Sequence, residues 1–183
     1  MPAFFQSTAF CKIIIVSLPV LAAGLLAGCK KTAGLLDVPV LTYLQMEEQT
    51  SSDTLTIRIG YEDGNGDIGL SPGDTFPPFD PGSQYFYNLH VEYLEKINDT
   101  FQTVSMNHPD PGGPLNFHTR ISRLLGAGRD PQPITGEIRY EILLDFPLLQ
   151  LPVVGDTVKL RVWIYDRDLN QSNTLESNEF ILN

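Results

Sequence analysis

The sequence predicts an all-β domain, an antiparallel β-sandwich, on three observations. Apolar residues recur at every second position in four separate stretches, a helical period is almost nowhere to be found, and Pro- and Gly-rich breakers stand between the stretches. Alternation at period 2 sends successive side chains to opposite faces, so each stretch describes a strand with one buried and one wet face.

The chain begins with an apolar run, Ile13–Leu26, behind Lys12, the only charge before Cys29. At ~1.5 Å per residue its roughly 14 residues make about 21 Å of helix, short of a ~30 Å hydrocarbon core. A short apolar run with a basic flank and small residues at its end has the form of an export signal. The run closes on Leu26-Ala27-Gly28-Cys29, which resembles the lipobox of bacterial lipoproteins. That resemblance implies cleavage before Cys29, a diacylglycerol on its thiol with a further acyl chain such as palmitate, and a mature chain held at a membrane, because two or more chains anchor stably. Lys30 stands where an aspartate tends to retain such proteins at the inner membrane. The resemblance therefore implies the outer membrane, with periplasmic and surface faces both open. The expected division is a signal peptide over 1–28, a lipidated tether over 29–38 and a β-sandwich over 39–183.

Within the domain, Leu55, Ile57, Ile59 and Tyr61 alternate with Thr54, Thr56, Arg58 and Gly60. Tyr87, Leu89, Val91 and Tyr93 alternate with Asn88, His90 and Glu92. Ile138, Tyr140, Ile142 and Leu144 do so with Glu137, Arg139 and Glu141, and Val158, Leu160, Val162 and Ile164 with Lys159, Arg161 and Trp163. Weaker strands are expected over Val40–Leu44, Phe101–Ser105, Phe117–Leu124 and Thr174–Leu182. Breakers fall at Ser71-Pro72-Gly73, Pro77-Pro78, Asp80-Pro81-Gly82 and Pro109–Pro114. Roughly seven to eight short strands so punctuated fit a sandwich of immunoglobulin-like architecture without its inter-sheet disulfide. A small closed barrel is the other architecture that the pattern allows.

In sandwich order Thr54–Tyr61 is strand B, Gln84–Ile97 strand C, Thr157–Tyr165 strand F and the C-terminal run strand G. The loops after B and F then emerge at one pole, joined by Gly126–Pro133 if that segment bridges D and E. All three are rich in side-chain oxygens, and loops on a rigid sandwich are where binding residues collect.

Composition narrows the function. Loss of residues 1–28 leaves a chain with 11 of its 12 Lys and Arg and all 22 Asp and Glu, a net of −11. Nucleic acid, whose phosphates need a basic face, is not an expected partner. Cys11 leaves with the signal and Cys29 is lipidated, so the domain must hold itself with its core or with a metal.

The loop Glu62–Ser83 opens on Asp63-Gly64-Asn65-Gly66-Asp67-Ile68-Gly69. Asp63, Asn65 and Asp67 place oxygen donors at alternate positions, and glycines let the backbone fold around a hard cation. Continued at EF-hand spacing, Asp74 falls at the twelfth position. Ile68 occupies the place that needs glycine, so an EF-hand is excluded while Ca²⁺ chemistry is retained as an expectation. The alternative is an Asx-rich turn in which these side chains bond their own backbone. A second alternating oxygen set, Asp166, Asp168 and Asn170, follows strand F, and the sandwich order places it near the first loop as a further source of metal ligands. This DGxGDIG loop, with a late strand, Asp166-Arg167 and Ser172-Asn173, resembles small lipoproteins of Bacteroidota; the resemblance covers the lipobox and two loops and implies no activity.

His90, His108 and His118 lack metal-ligand spacing, no nucleophile motif is present, and the 22 acids show no glycosidase pairing, so no enzyme is expected. Trp163 lies on the opposite parity to Val162 and Ile164, and either faces solvent or packs under a loop. Tyr85, Phe86 and Tyr87, with Phe76 and Phe79, either close the end of the sandwich or, together with Trp163, form a stacking platform. The expected function is a lipid-anchored binding or assembly module with an unidentified protein or glycan partner and a structural Ca²⁺. The alternative is a glycan-binding lipoprotein of a polysaccharide-uptake system.

Overall fold

The structure, a computed structural model, describes residues 36–49, 53–103, 117–126, 128–144 and 155–183. The apolar N-terminal run, the lipobox, Cys29 and the breaker Pro109–Pro114 lie outside the described residues. Among the described residues there are eight antiparallel strands: β1 (Val40–Gln49), β2 (Thr54–Asp63), β3 (Leu89–Ile97), β4 (Thr100–Thr103), β5 (Ile134–Leu143), β6 (Thr157–Ile164), β7 (Leu175–Glu176) and β8 (Phe180–Ile181). No helix occurs among the described residues. One sheet runs β1-β2-β5 and the other β4-β3-β6-β7, with β8 also on β6. The sheets do not close on themselves, so the barrel alternative is set aside in favour of a sandwich-like arrangement.

Both sheets feed one core. Ile57, Ile59 and Ile138 from the first join Val91, Leu160 and Val162 from the second, and all but Ile138 are completely buried. The strict alternation of β6 survives in full: Val158, Leu160, Val162 and Ile164 are buried while the residues between them are half-buried. Tyr93 is the largest fully buried side chain, and its hydroxyl has no hydrogen-bond partner.

β1 continues to Gln49, well past the Leu44 expected from alternation. The register shifts between Tyr43 and Gln45, leaving Leu44 as an extra residue that is 47% exposed. Such a bulge flips the inward parity: Leu41 and Tyr43 point to the core before it and Met46 after it. The period-2 signal breaks there although the strand does not.

At the C-terminus the single expected strand Thr174–Leu182 is instead two short pieces. The Ser172 and Ser177 hydroxyls accept the N–H groups of Ile164 and Leu160, both at 3.0 Å, while the same serines donate their own N–H to those residues' carbonyls. Each serine also donates its hydroxyl to the next asparagine's carbonyl, Asn173 or Asn178. A Ser-Asn pair repeated after five residues thus replaces continuous ladder pairing along β6. Asn173 then exchanges two bonds with the Leu41 backbone, at 2.7 and 3.0 Å, stitching β1 to this edge.

The expected strand Phe117–Leu124 is a pair of isolated bridges, Leu89 with Thr119 and Leu70 with Ser122. Strand C also starts later than Gln84. Residues 83–87 form turns, and Tyr87 is 39% exposed rather than facing the core beside Leu89.

Candidate functional site

The loop after β2 is anchored before it projects. Leu70 N–H bonds to the Ile121 carbonyl, Leu124 N–H to that of Ile68, and Gln132 N–H to that of Asn65. Gly66 and Gly69 have φ of +73° and +101°. A side chain at either would strike the backbone, of Gln132 and Ser122 respectively, so glycine is required twice over. Asn88, almost fully buried, acts as a surrogate strand: its Oδ1 accepts Ile121 N–H at 2.7 Å and its Nδ2 donates to the Ile121 carbonyl at 3.2 Å. Arg120 clamps the far part of the loop by donating to the carbonyls of Phe86 (2.7 Å) and Asp74 (2.8 Å), with its guanidinium 4.8 Å from the Phe86 ring. Neither Asn88 nor Arg120 carried a signal in the sequence, because each acts on backbone far away in the chain.

This anchoring brings the two acidic segments together. Ile68 bridges to Asp166, and Asp168 N–H donates to Asp67 Oδ2 at 3.0 Å. Asp63 ends β2 with no exposed surface; its Oδ2 accepts Asp67 N–H at 2.9 Å, and its Oδ1 has no partner. Asp67 Oδ1 is buried and unpartnered as well. Asp166, 1% exposed, accepts Asn170 N–H on Oδ1 (2.7 Å) and Asn170 Nδ2–H on Oδ2 (2.9 Å). The turn that presents Asp166 places Leu169 at φ +68°, a left-handed conformation that costs a non-glycine residue about 1–2 kcal/mol.

Electrostatics follow from crowding. Burial pushes Asp67 up to about 6, and the charges of Asp166, Asp63 and Asp168 push the same way. Burial also raises Asp63 and Asp166, against the N–H bonds they accept. An ionised Asp67 is therefore held at a cost at neutral pH.

The other expected ligands are placed differently. Asp74 is engaged elsewhere: Arg167 donates to its Oδ2, and Ser71 N–H reaches the same oxygen at 2.7 Å. Burial would raise Asp74, yet these bonds hold it below the ordinary carboxylate range. Asn65 Oδ1 accepts Asp67 N–H at 3.3 Å, and the Asn170 amide serves Asp166. The Asx-turn alternative thus describes part of the loop correctly. Among the described residues, no three His, Cys, Asp or Glu side chains stand together at metal-ligand spacing.

A second cluster lies on the outward face of β3 and β6. His90 and Trp163 are register partners, with their rings stacked 4.9 Å apart at 13°. His118 continues the row, 4.4 Å from His90, and Tyr87 lies 6.3 Å beyond it. Tyr165 meets His90 edge-on at 5.3 Å and Tyr85 at 5.0 Å. Trp163 is therefore half-buried in a ring row rather than isolated. Val91 N–H donates to His118 Nδ1 at 3.1 Å, so that nitrogen is unprotonated, and His90 Nε2 lies 2.9 Å from the Tyr87 carbonyl. Burial, aided by His90, lowers His118 to about 4, and burial also lowers His90. Both imidazoles are neutral at physiological pH.

No protein-family model, curated protein or solved structure matches the chain.

Proposed function

We propose that this chain is an outer-membrane lipoprotein, anchored through lipid on Cys29, whose immunoglobulin-like sandwich is a binding or assembly module rather than an enzyme. The lipobox-like Leu26-Ala27-Gly28-Cys29 supports the anchor. The sheet orders β1-β2-β5 and β4-β3-β6-β7 support the immunoglobulin-like reading, since they correspond to A-B-E and C′-C-F-G.

The observation that carries the module reading is a loop that is fixed and yet offers apolar surface. Arg120, Asn88 and the Asp74–Arg167 pair hold the segment between β2 and β3, while Phe76 within it is 76% exposed beside Pro77 and Pro78. A preorganised aromatic residue costs little entropy on binding, which is what interface anchors need. The test is a photo-crosslinking amino acid at position 76 in cells, with position 135 on the polar face of β5 as control. A discrete adduct from 76 alone is expected; equal labelling from both, or none, would contradict the reading.

The ring row favours glycan as a second reading. Trp163, Tyr87 and Tyr85 belong to a partly exposed aromatic strip, and sugars stack on such faces. Trp163 fluorescence should then change when an envelope polysaccharide is added, and an unresponsive spectrum across a broad glycan panel would leave the row a structural one.

A further inference from the structure

The base of the loop pole holds an arrangement that folding alone does not explain. We propose that Asp63, Asp67 and Asp166, with Asp168 at the rim, form a site for one calcium ion that ties the loop after β2 to the turn after β6. The inference goes beyond the binding-module reading and does not depend on it, since the ion would brace the pole whatever docks there.

Asp63 is the central observation. A carboxylate with no exposed surface should have all its lone pairs served, yet the Oδ1 of Asp63 has no well-formed hydrogen bond, although the N–H groups of Gly66 and Ile68 also act on the carboxylate. Asp67 Oδ1 is in the same state, and the charges of Asp63 and Asp166 act on it. No arginine or lysine among the described residues bonds to Asp63, Asp67 or Asp166. The nearest basic residue in sequence, Arg167, instead pairs with Asp74 and lies over the Phe79 ring. Two buried acids, Asp63 and Asp166, and the half-buried Asp67, with no cationic side chain bonded to them, form a negative site whose missing partner is a cation.

The donor chemistry selects the ion. Every available donor is an oxygen, which suits a hard cation. Asp166 accepts one bond from Asn170 on each oxygen, and a carboxylate oxygen has a further lone pair that can face a metal. Calcium accepts irregular sets of six to eight oxygens, whereas magnesium demands near-octahedral geometry. Without the ion the carboxylates do not stand at ligand spacing, so calcium binding requires Asp67 and the exposed Asp168 to turn toward Asp63. Of the oxygen donors expected from the two loops, this set keeps Asp63, Asp67, Asp166 and Asp168 and leaves out Asp74, which pairs with Arg167.

The test is thermal unfolding and isothermal titration of the full chain in detergent, with chelator, calcium or magnesium. A dissociation constant of about 10⁻⁴–10⁻³ M is expected, as for other exported modules. At ten times that concentration the melting temperature should rise by about 3–6 °C, with a smaller rise in magnesium. Asp67→Asn should erase the rise. Asp168→Ala, at an exposed position that leaves folding intact, should weaken calcium binding several-fold. No heat and no shift in the parent protein would overturn the proposal. So would a shift that persists in both variants, because that is general screening of an acidic surface.

Discussion

The acidic pole and the imidazole row bury titratable groups in the same sandwich, a short distance apart in sequence at Tyr165 and Asp166, and they do so on opposite terms. In the row each histidine has a backbone partner, Tyr87 O for His90 and Val91 N–H for His118, and each ring rests against other rings. Burial there favours the neutral imidazole, and the neutral form satisfies the bonds. In the pole the favoured charge state and the bonding conflict: Asp63 and Asp67 accept N–H bonds as carboxylates while keeping orphaned oxygens and repelling each other. Burial with the polar groups partnered reads as architecture. Burial with orphaned charged oxygens reads as a demand for a ligand.

Asn88 supports both regions, and its loss should have the largest effect on either. Its side chain holds Ile121, and the segment around Ile121 carries His118 on one side and lies against Gly69 through Ser122 on the other. Asn88→Ala leaves the Ile121 N–H without its bond, and denaturant unfolding should show a loss of about 2–3 kcal/mol. The fluorescence of Trp163 and any calcium response should both weaken in that variant.

Acid sharpens the contrast next. The folded pKa of His118, about 4, lies below its ordinary value of 6.5, so the unfolded chain takes up a proton first. Stability from this group is therefore complete above pH 6.5 and is lost as pH falls from there toward 4. Protonating Nδ1 would also displace the bond from Val91 N–H. With solvent screening allowed for, the loss should be about 1–2 kcal/mol, and His118→Phe should remove that part of the pH slope in urea melts taken between pH 7 and 4.

The acidic pole should answer with the reverse sign. In chelator at neutral pH, Asp67→Asn removes a carboxylate that burial and three neighbouring charges oppose. It should raise stability by about 1 kcal/mol, measured as a higher urea midpoint. A fall of that size would mean the Asp67 carboxylate is fully served by the Asp168 N–H, and the two regions would then be alike.

The smallest effect is expected at Tyr93, whose hydroxyl is orphaned but uncharged. Tyr93→Phe removes a buried group that gains nothing from the fold, so stability should stay within about 0.5 kcal/mol of the parent or rise slightly. An orphaned hydroxyl is tolerated where an orphaned carboxylate calls for a partner.

Strands were legible wherever alternation ran unbroken. Ile57 and Ile59 of β2, Ile138 and Ile142 of β5 and Val158 to Ile164 of β6 all lie on the core side, as their spacing predicts. Legibility failed where one side chain or one extra residue replaced regular pairing: Leu44 at the bulge of β1, and Ser172 and Ser177 beside β6. At the site, Asp63, Asp67 and Asp166 were visible as two oxygen-rich loops. The pairing of Asp74 with Arg167, 93 residues away, has no local signal in the sequence, whereas EF-hand spacing is local. The ring row was half visible. Trp163 showed its outward parity, but His90 and His118 looked isolated until register and the Leu89–Thr119 bridge set them side by side.

Whether the buried, unpartnered Oδ1 atoms of Asp63 and Asp67 hold calcium is decided by a crystal structure grown in millimolar calcium with anomalous data. A single anomalous peak is expected about 2.3–2.6 Å from oxygens of Asp63, Asp67 and Asp166, with Asp168 at the rim. Two aspartate side chains in direct carboxyl–carboxylate contact, with no anomalous peak between them, would show that a proton fills the role and would contradict the claim.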